Sequence, residues 1–130
     1  MLRNSFFSTV SLPQTSQNIN ADHPVVFKVG IRINPDHPIF EGHFPEQPIV
    51  PGVTYIEMIR EIMEMVLNKE LQLKEGTNIK FLAITNPLIN AYLDIEFSLI
   101  QKEENLITAK VLITSENNPV IKFEGKFSNK

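Results

Sequence analysis

Only one stretch of this chain carries the period of a helix. From Val53 onward, Val53, Ile56, Ile59, Met63 and Val66 recur at helical spacing, while Glu57, Arg60, Glu61, Glu64 and Asn68 form the opposite stripe. An amphipathic helix is therefore expected over about residues 53–69, with Pro51 and Gly52 at its start, where a missing N–H costs little and a bare Cα leaves the first amides approachable. Elsewhere the apolar residues alternate. Val25, Phe27, Val29, Ile31 and Ile33 form one such series, interrupted at Asn34–Pro38 by "NPDHP", where each residue before a proline is driven from the helical region. A long loop is expected between that turn and the helix.

After the helix, "KEGTN" at Lys74–Asn78 is expected to close the connection, and strands follow: Ile79, Phe81 and Ala83; then Leu93, Ile95, Phe97 and Leu99; then Ile107, Ala109, Val111 and Ile113; finally Ile121, Phe123 and Phe127. Turns are expected at Glu103–Asn105 and Glu116–Pro119. An opening strand near Phe6–Leu12 leads into a polar loop, "PQTSQNIN". One helix cannot bury its apolar stripe against itself, so an antiparallel sheet wrapped around it, an α+β hot-dog arrangement, is the economical fold. Such a sheet keeps an open edge and an incompletely covered apolar face, which a symmetric second copy would bury.

The 130 residues suit one domain, 1–130, large enough to bury a core without metals or disulfides. With no cysteine, a thiolate metal site and a cysteine nucleophile are both excluded. The net charge of −3 gives no support to nucleic-acid binding. "MLRNSFFSTVSLPQ" lacks the apolar core of a signal peptide, and no later run approaches a membrane span, so no membrane is expected and the cytoplasm is the expected location.

Chemistry concentrates in "HPIFEGHFPEQPIVPGVTYIE", His37–Glu57, where four prolines, two glycines and two of the three histidines lie immediately before the helix. Proline and glycine fix unusual backbone paths, which suits a segment that holds reacting groups in place. His43 and Glu57 are the candidates for those groups. Read by residue type alone, a histidine beside proline in a loop, like His43, is more often structural than catalytic, and an exposed glutamate with arginine three residues on, like Glu57 with Arg60, is usually a solvated pair. His23 and His37, each before a proline, read as structural, and Tyr55 and Met58 as core or interface.

The spacing of these residues resembles the active-site segment of the 3-hydroxyacyl-[acyl-carrier-protein] dehydratases, the FabZ/FabA-type hot-dog family, whose pattern runs HFPGxPxxPGVxxxE. His43, Phe44, Pro45, Pro48, Pro51, Gly52, Val53 and Glu57 all stand at the family's spacing. The resemblance implies reversible dehydration of a (3R)-3-hydroxyacyl thioester, borne on acyl carrier protein, to the trans-2-enoyl thioester in fatty-acid or related polyene and lipid biosynthesis. Its reaction needs a base for the C2 proton, a group that handles the departing hydroxyl, and a donor for charge growing on the thioester oxygen. The resemblance gives these roles to His43, to Glu57 from the other protomer of a dimer, and to the Gly52 amide at the positive end of the helix, with Val53 and Phe44 also against the substrate. It implies no metal and no other cofactor, and a homodimer or a larger assembly of dimers.

The chain departs from the family's pattern at Glu46, where glycine is usual, in the polar run "EMIREIMEM", and at "LINAY", Leu88–Tyr92, in place of a Pro-Gly-Asp turn. The expected carrier-protein contacts have no obvious locus, because Arg32, Arg60, Lys80, Lys110, Lys122 and Lys126 are scattered along the chain. Two other functions suit the same scaffold: a hot-dog acyl thioesterase, in which water attacks a carbonyl polarised by Gly52, and a non-catalytic acyl-binding subunit.

Overall fold

A computed structural model of the chain describes residues 2–13, 19–44 and 46–130. The middle of the expected polar loop, residues 14–18, and Pro45 of the proline-rich motif lie outside the described residues. The elements are β1 (Phe7–Ser11), β2 (Val25–Ile33), α1 (Ile39–Gly42), α2 (Gly52–Leu67), β3 (Leu71–Phe81), β4 (Tyr92–Glu103), β5 (Leu106–Ser115) and β6 (Asn118–Asn129). The six strands form one antiparallel sheet in the order β1-β2-β4-β5-β6-β3. The buried face of α2 belongs to the same apolar cluster as the inward residues of the strands, which is the hot-dog arrangement expected from the pattern.

Alternation sets the register. In β2 every second residue, from Val25 to Ile33, is buried, because successive side chains of a strand point to opposite faces. The pairing then aligns rows across the sheet. Phe27 stands opposite Phe97, Phe97 opposite Val111, and Val111 opposite Phe123, so one transverse ridge of the core is made by four strands. Phe27 and Phe97 stack at 4.9 Å between centroids, an aromatic pair of the kind that adds to simple area burial. The turns between β4, β5 and β6 are tighter than expected, Glu104–Asn105 and Glu116–Asn117, with Asn105, Glu116 and Asn117 all at positive φ.

Three expectations need correction. The "KEGTN" segment is not a connection: Lys74–Asn78 lie inside β3, which begins at Leu71 and pairs with β6 along its length. The helix ends early because Asn68 adopts the left-handed conformation and its N–H returns to the Glu64 carbonyl, leaving only Lys69 and Glu70 before the strand. The low apolar content that suggested a turn reflects an edge position instead. β3 has a neighbour on one side only, carries two register shifts, between Leu73 and Glu75 and between Gly76 and Asn78, and exposes most of its side chains. The segment before the helix also contains a short turn of helix, α1, where a loop was expected.

The third correction concerns the buried stripe of α2. Tyr55, Met58, Ile59, Ile62, Met63 and Val66 face the core, whereas Val53 is 76% exposed and Ile56 only partly covered. The helix carries enough apolar residues for two overlapping stripes, and the sheet selects the one that continues through Tyr55, Met58 and Ile62. Glu61, assigned by spacing to the polar stripe, is 3% exposed.

Candidate functional site

The loop after α1 is closed on itself by reciprocal hydrogen bonds. Phe44 and Gln47 exchange N–H···O bonds at 3.1 and 3.2 Å, and the Ile49 amide donates to the His43 carbonyl at 2.9 Å. The His43 ring returns the contact, with Nδ1 3.1 Å from the Ile49 carbonyl oxygen. A carbonyl oxygen can only accept, so Nδ1 carries the proton and the neutral ring presents Nε2 with a free lone pair. The half-exposed Phe44 ring lies over the imidazole at 4.4 Å. The sequence signal for this clasp is the proline spacing; the partner, Ile49, has no signal of its own.

Two contacts fix the loop's far end to the rest of the fold. The Val50 amide donates to the Thr85 carbonyl at 3.1 Å, and Tyr55 from the first turns of α2 donates its hydroxyl to Thr85 Oγ1 at 2.6 Å. Burial pushes the Tyr55 phenol up to about 12, with the Thr85 bond working in the opposite direction, so the hydroxyl stays protonated and serves as a fixed donor. Thr85 was not a candidate, because an isolated threonine between strands looks like any other until its neighbours in space are known.

Helix α2 begins at Gly52, after Pro51 in an extended conformation, with no side-chain cap at its N-terminus among the described residues and no acidic residue in its first turn. Gly52 is also closely approached: a Cβ there would lie 2.8 Å from the Phe81 ring, so the end of β3 and the start of α2 pack backbone to ring. Val53 (76% exposed), Phe81 (56% exposed), Leu82 and Ile84 leave apolar surface uncovered around this end of the helix. His43, Phe44, Gly52 and Val53 thus sit on two consecutive, mutually braced segments.

Glu57 lies one turn further along α2, with its side chain 41% exposed. Its strongest interaction within the chain is with Arg60, whose Nε donates to Oε2 at 3.1 Å and whose Nη2 meets Oε1 in a close ion pair, with Glu61 on the next turn also close enough to act on it. The Arg60 guanidinium holds the Glu57 carboxyl below the usual carboxylate range, against the smaller opposing effect of partial burial. Among the described residues no hydrogen bond joins His43 to Glu57 in the same chain.

Glu61, on the same helix, has a separate role. Its two oxygens accept from the Leu2 amide at 2.9 Å each, and Oε1 also accepts from the Arg3 amide at 3.0 Å. It anchors the segment before β1 to the helix and is not a solvated member of a charged stripe. Glu61→Ala is therefore expected to lower stability by about 1–3 kcal/mol, as expected for partly buried amides left without an acceptor. Urea unfolding of the variant checks this, and an unchanged midpoint would contradict the anchoring role.

Comparison with known proteins adds an independent observation. The ApeI-like family model, described as the ApeI dehydratase, matches residues 16–123. The chain belongs to this dehydratase family. It is also 31% identical over 109 residues to the 3-hydroxyacyl-[acyl-carrier-protein] dehydratase FabZ of Coxiella burnetii (strain RSA 331 / Henzerling II), covering 83% of this chain and 70% of that protein. Identity to the FabZ of Caulobacter sp. (strain K31) is 29% over 99 residues, 75% of this chain but only 56% of the relative, so the chain spans little more than half of that protein. In structure it is similar to the dehydratase heterocomplex ApeI:P from Xenorhabdus doucetiae, with a TM-score of 0.68 at 19% identity over 93% of this chain and 96% of that one. The (R)-hydratase from A. caviae involved in PHA biosynthesis gives a TM-score of 0.63 at 11% identity, over 84% and 97% of the two chains. At such low identities these two likenesses show the hot-dog fold alone.

Proposed function

We propose that the protein catalyses the reversible removal of water from a (3R)-3-hydroxyacyl thioester carried on acyl carrier protein, giving the trans-2-enoyl thioester in fatty-acid or related lipid biosynthesis. The observation that carries the reading is the His43–Ile49 contact. It leaves Nε2 as the basic atom of the neutral ring, free to take the C2 proton and return it. The uncapped amide at Gly52 supports a second role, donation to the thioester oxygen as negative charge develops there, with the helix dipole in the favourable sense. Phe44 and Val53, both exposed beside these groups, supply apolar contact for the acyl chain.

Glu57 supplies the contact to the 3-hydroxyl, from a second protomer. The open β3 edge and the uncovered Phe81, Leu82 and Ile84 favour a homodimer in which each site draws on both chains. Polarisation of a thioester carbonyl by the same amide would also serve hydrolysis, so the test must separate the two outcomes. A 3-hydroxyacyl thioester is incubated with the protein while enoyl absorbance and free thiol are followed separately. Rising enoyl absorbance without thiol release is the expected result. Thiol release alone would identify a thioesterase, and no change in either would leave an acyl-binding subunit.

A further inference from the structure

Behind Glu57 lies a brace that the reaction scheme above leaves unused. Arg60 engages both oxygens of Glu57, and its remaining nitrogen, Nη1, is held by Glu64 Oε1 at 2.9 Å and by the Leu71 carbonyl at 3.2 Å. Glu64 is itself fixed, since its Oε2 accepts from the Leu71 amide at 2.8 Å. The Arg60 and Glu64 side chains are each only 21% exposed. A guanidinium presents its donors in a rigid planar fork, so pinning one side of the fork to Glu64 and to the first residue of β3 sets the direction of the other.

We propose that Arg60 is a positioning residue for the dehydration: its fork, anchored on Glu64 and the start of β3, fixes the orientation in which the Glu57 carboxylate meets the substrate's 3-hydroxyl. The proposal rests on the reading of Glu57 given above. Each carboxylate oxygen bound to Arg60 keeps a second lone pair, which is free to accept from the hydroxyl. Held ionised beside Arg60, Glu57 has no proton to give, so it orients the leaving group and does not protonate it. The proton balance then closes through His43. Nε2 takes the C2 proton, leaving the electron pair as an enolate on the thioester oxygen, and the imidazolium returns that proton to the departing oxygen as the C3–O bond breaks and the C2–C3 double bond forms, leaving neutral imidazole, enoyl thioester and water.

The test is a double-mutant cycle on turnover of a 3-hydroxyoctanoyl thioester of acyl carrier protein, with Glu57→Gln, Arg60→Gln, Arg60→Lys and the combinations of each arginine change with Glu57→Gln. Arg60→Gln is expected to lower kcat by about tenfold with KM little changed, since only the aim of the carboxylate is lost. Arg60→Lys, which keeps the charge, should recover part of that loss. In the Glu57→Gln background either arginine change should add almost nothing, whereas a merely structural arginine would impose its full loss again. If Arg60→Gln does not fold, the Arg60→Lys arm of the cycle gives the same reading. A strong Glu57→Gln effect with silent or multiplicative arginine changes would overturn the proposal, while a silent Glu57→Gln would overturn the role of Glu57 itself.

Discussion

His43→Ala is expected to reduce turnover by at least about a hundredfold while the protein still folds, because the change removes the basic atom and little else. Among the described residues the ring makes one side-chain hydrogen bond, to the Ile49 carbonyl, and one stacking contact, to Phe44. The backbone bonds of the clasp, Ile49 to His43 and Phe44 to Gln47, need no side chain and survive the substitution. The Ile49 carbonyl, on a half-buried residue at the surface of the loop, can turn to water. Steady-state rates beside a thermal melt make the check. A folded His43→Ala protein with near-normal turnover would remove the assignment, and since His37 spends its Nδ1 on the Ile39 amide and packs edge-on against Phe6, no other histidine of the segment could replace it.

Mixing His43→Ala with Glu57→Gln is expected to restore roughly a quarter of wild-type activity after co-refolding, although each variant alone is nearly inactive. If each site takes His43 from one protomer and Glu57 from the other, a homodimer of either variant has two spoiled sites. A mixed dimer collects both lesions in one site and leaves the other intact. With random reassociation half of the dimers are mixed, and each contributes one good site of its two. The intrachain contacts make the experiment informative, because His43 is committed to Ile49 and Glu57 to Arg60, with no hydrogen bond between the two within a chain among the described residues. Activity at the mean of the separately refolded controls, despite demonstrated subunit exchange, would place both residues of a site on one chain.

What the sequence determined by itself was whatever depends on local pattern. Period two in β2, β4, β5 and β6 set both the strands and the faces they bury, because a side chain's face on a strand is fixed by parity. The change of period at Val53 located the one long helix among the described residues, and the spacing from His43 to Glu57 marked the candidate segment, since turn prolines and a helix-start glycine act on their own backbone. Tertiary structure decided everything that depends on a neighbour distant in the chain. β3 looked like a turn followed by a strand because an edge strand with one partner and a solvent-facing side chain set does not need alternation; its identity comes from pairing with β6. The buried stripe of α2 was chosen by which side of the helix the sheet covers, leaving Val53 exposed and drawing Tyr55 inward to Thr85. Among the acidic residues of that helix, composition and spacing draw no distinction, yet Glu57 is paired with Arg60, Glu64 is tied to Leu71, and Glu61 is buried under the amides of Leu2 and Arg3. Those three fates follow from partners 3, 7 and up to 59 residues away in sequence, and only the folded chain brings the distant ones within hydrogen-bond reach.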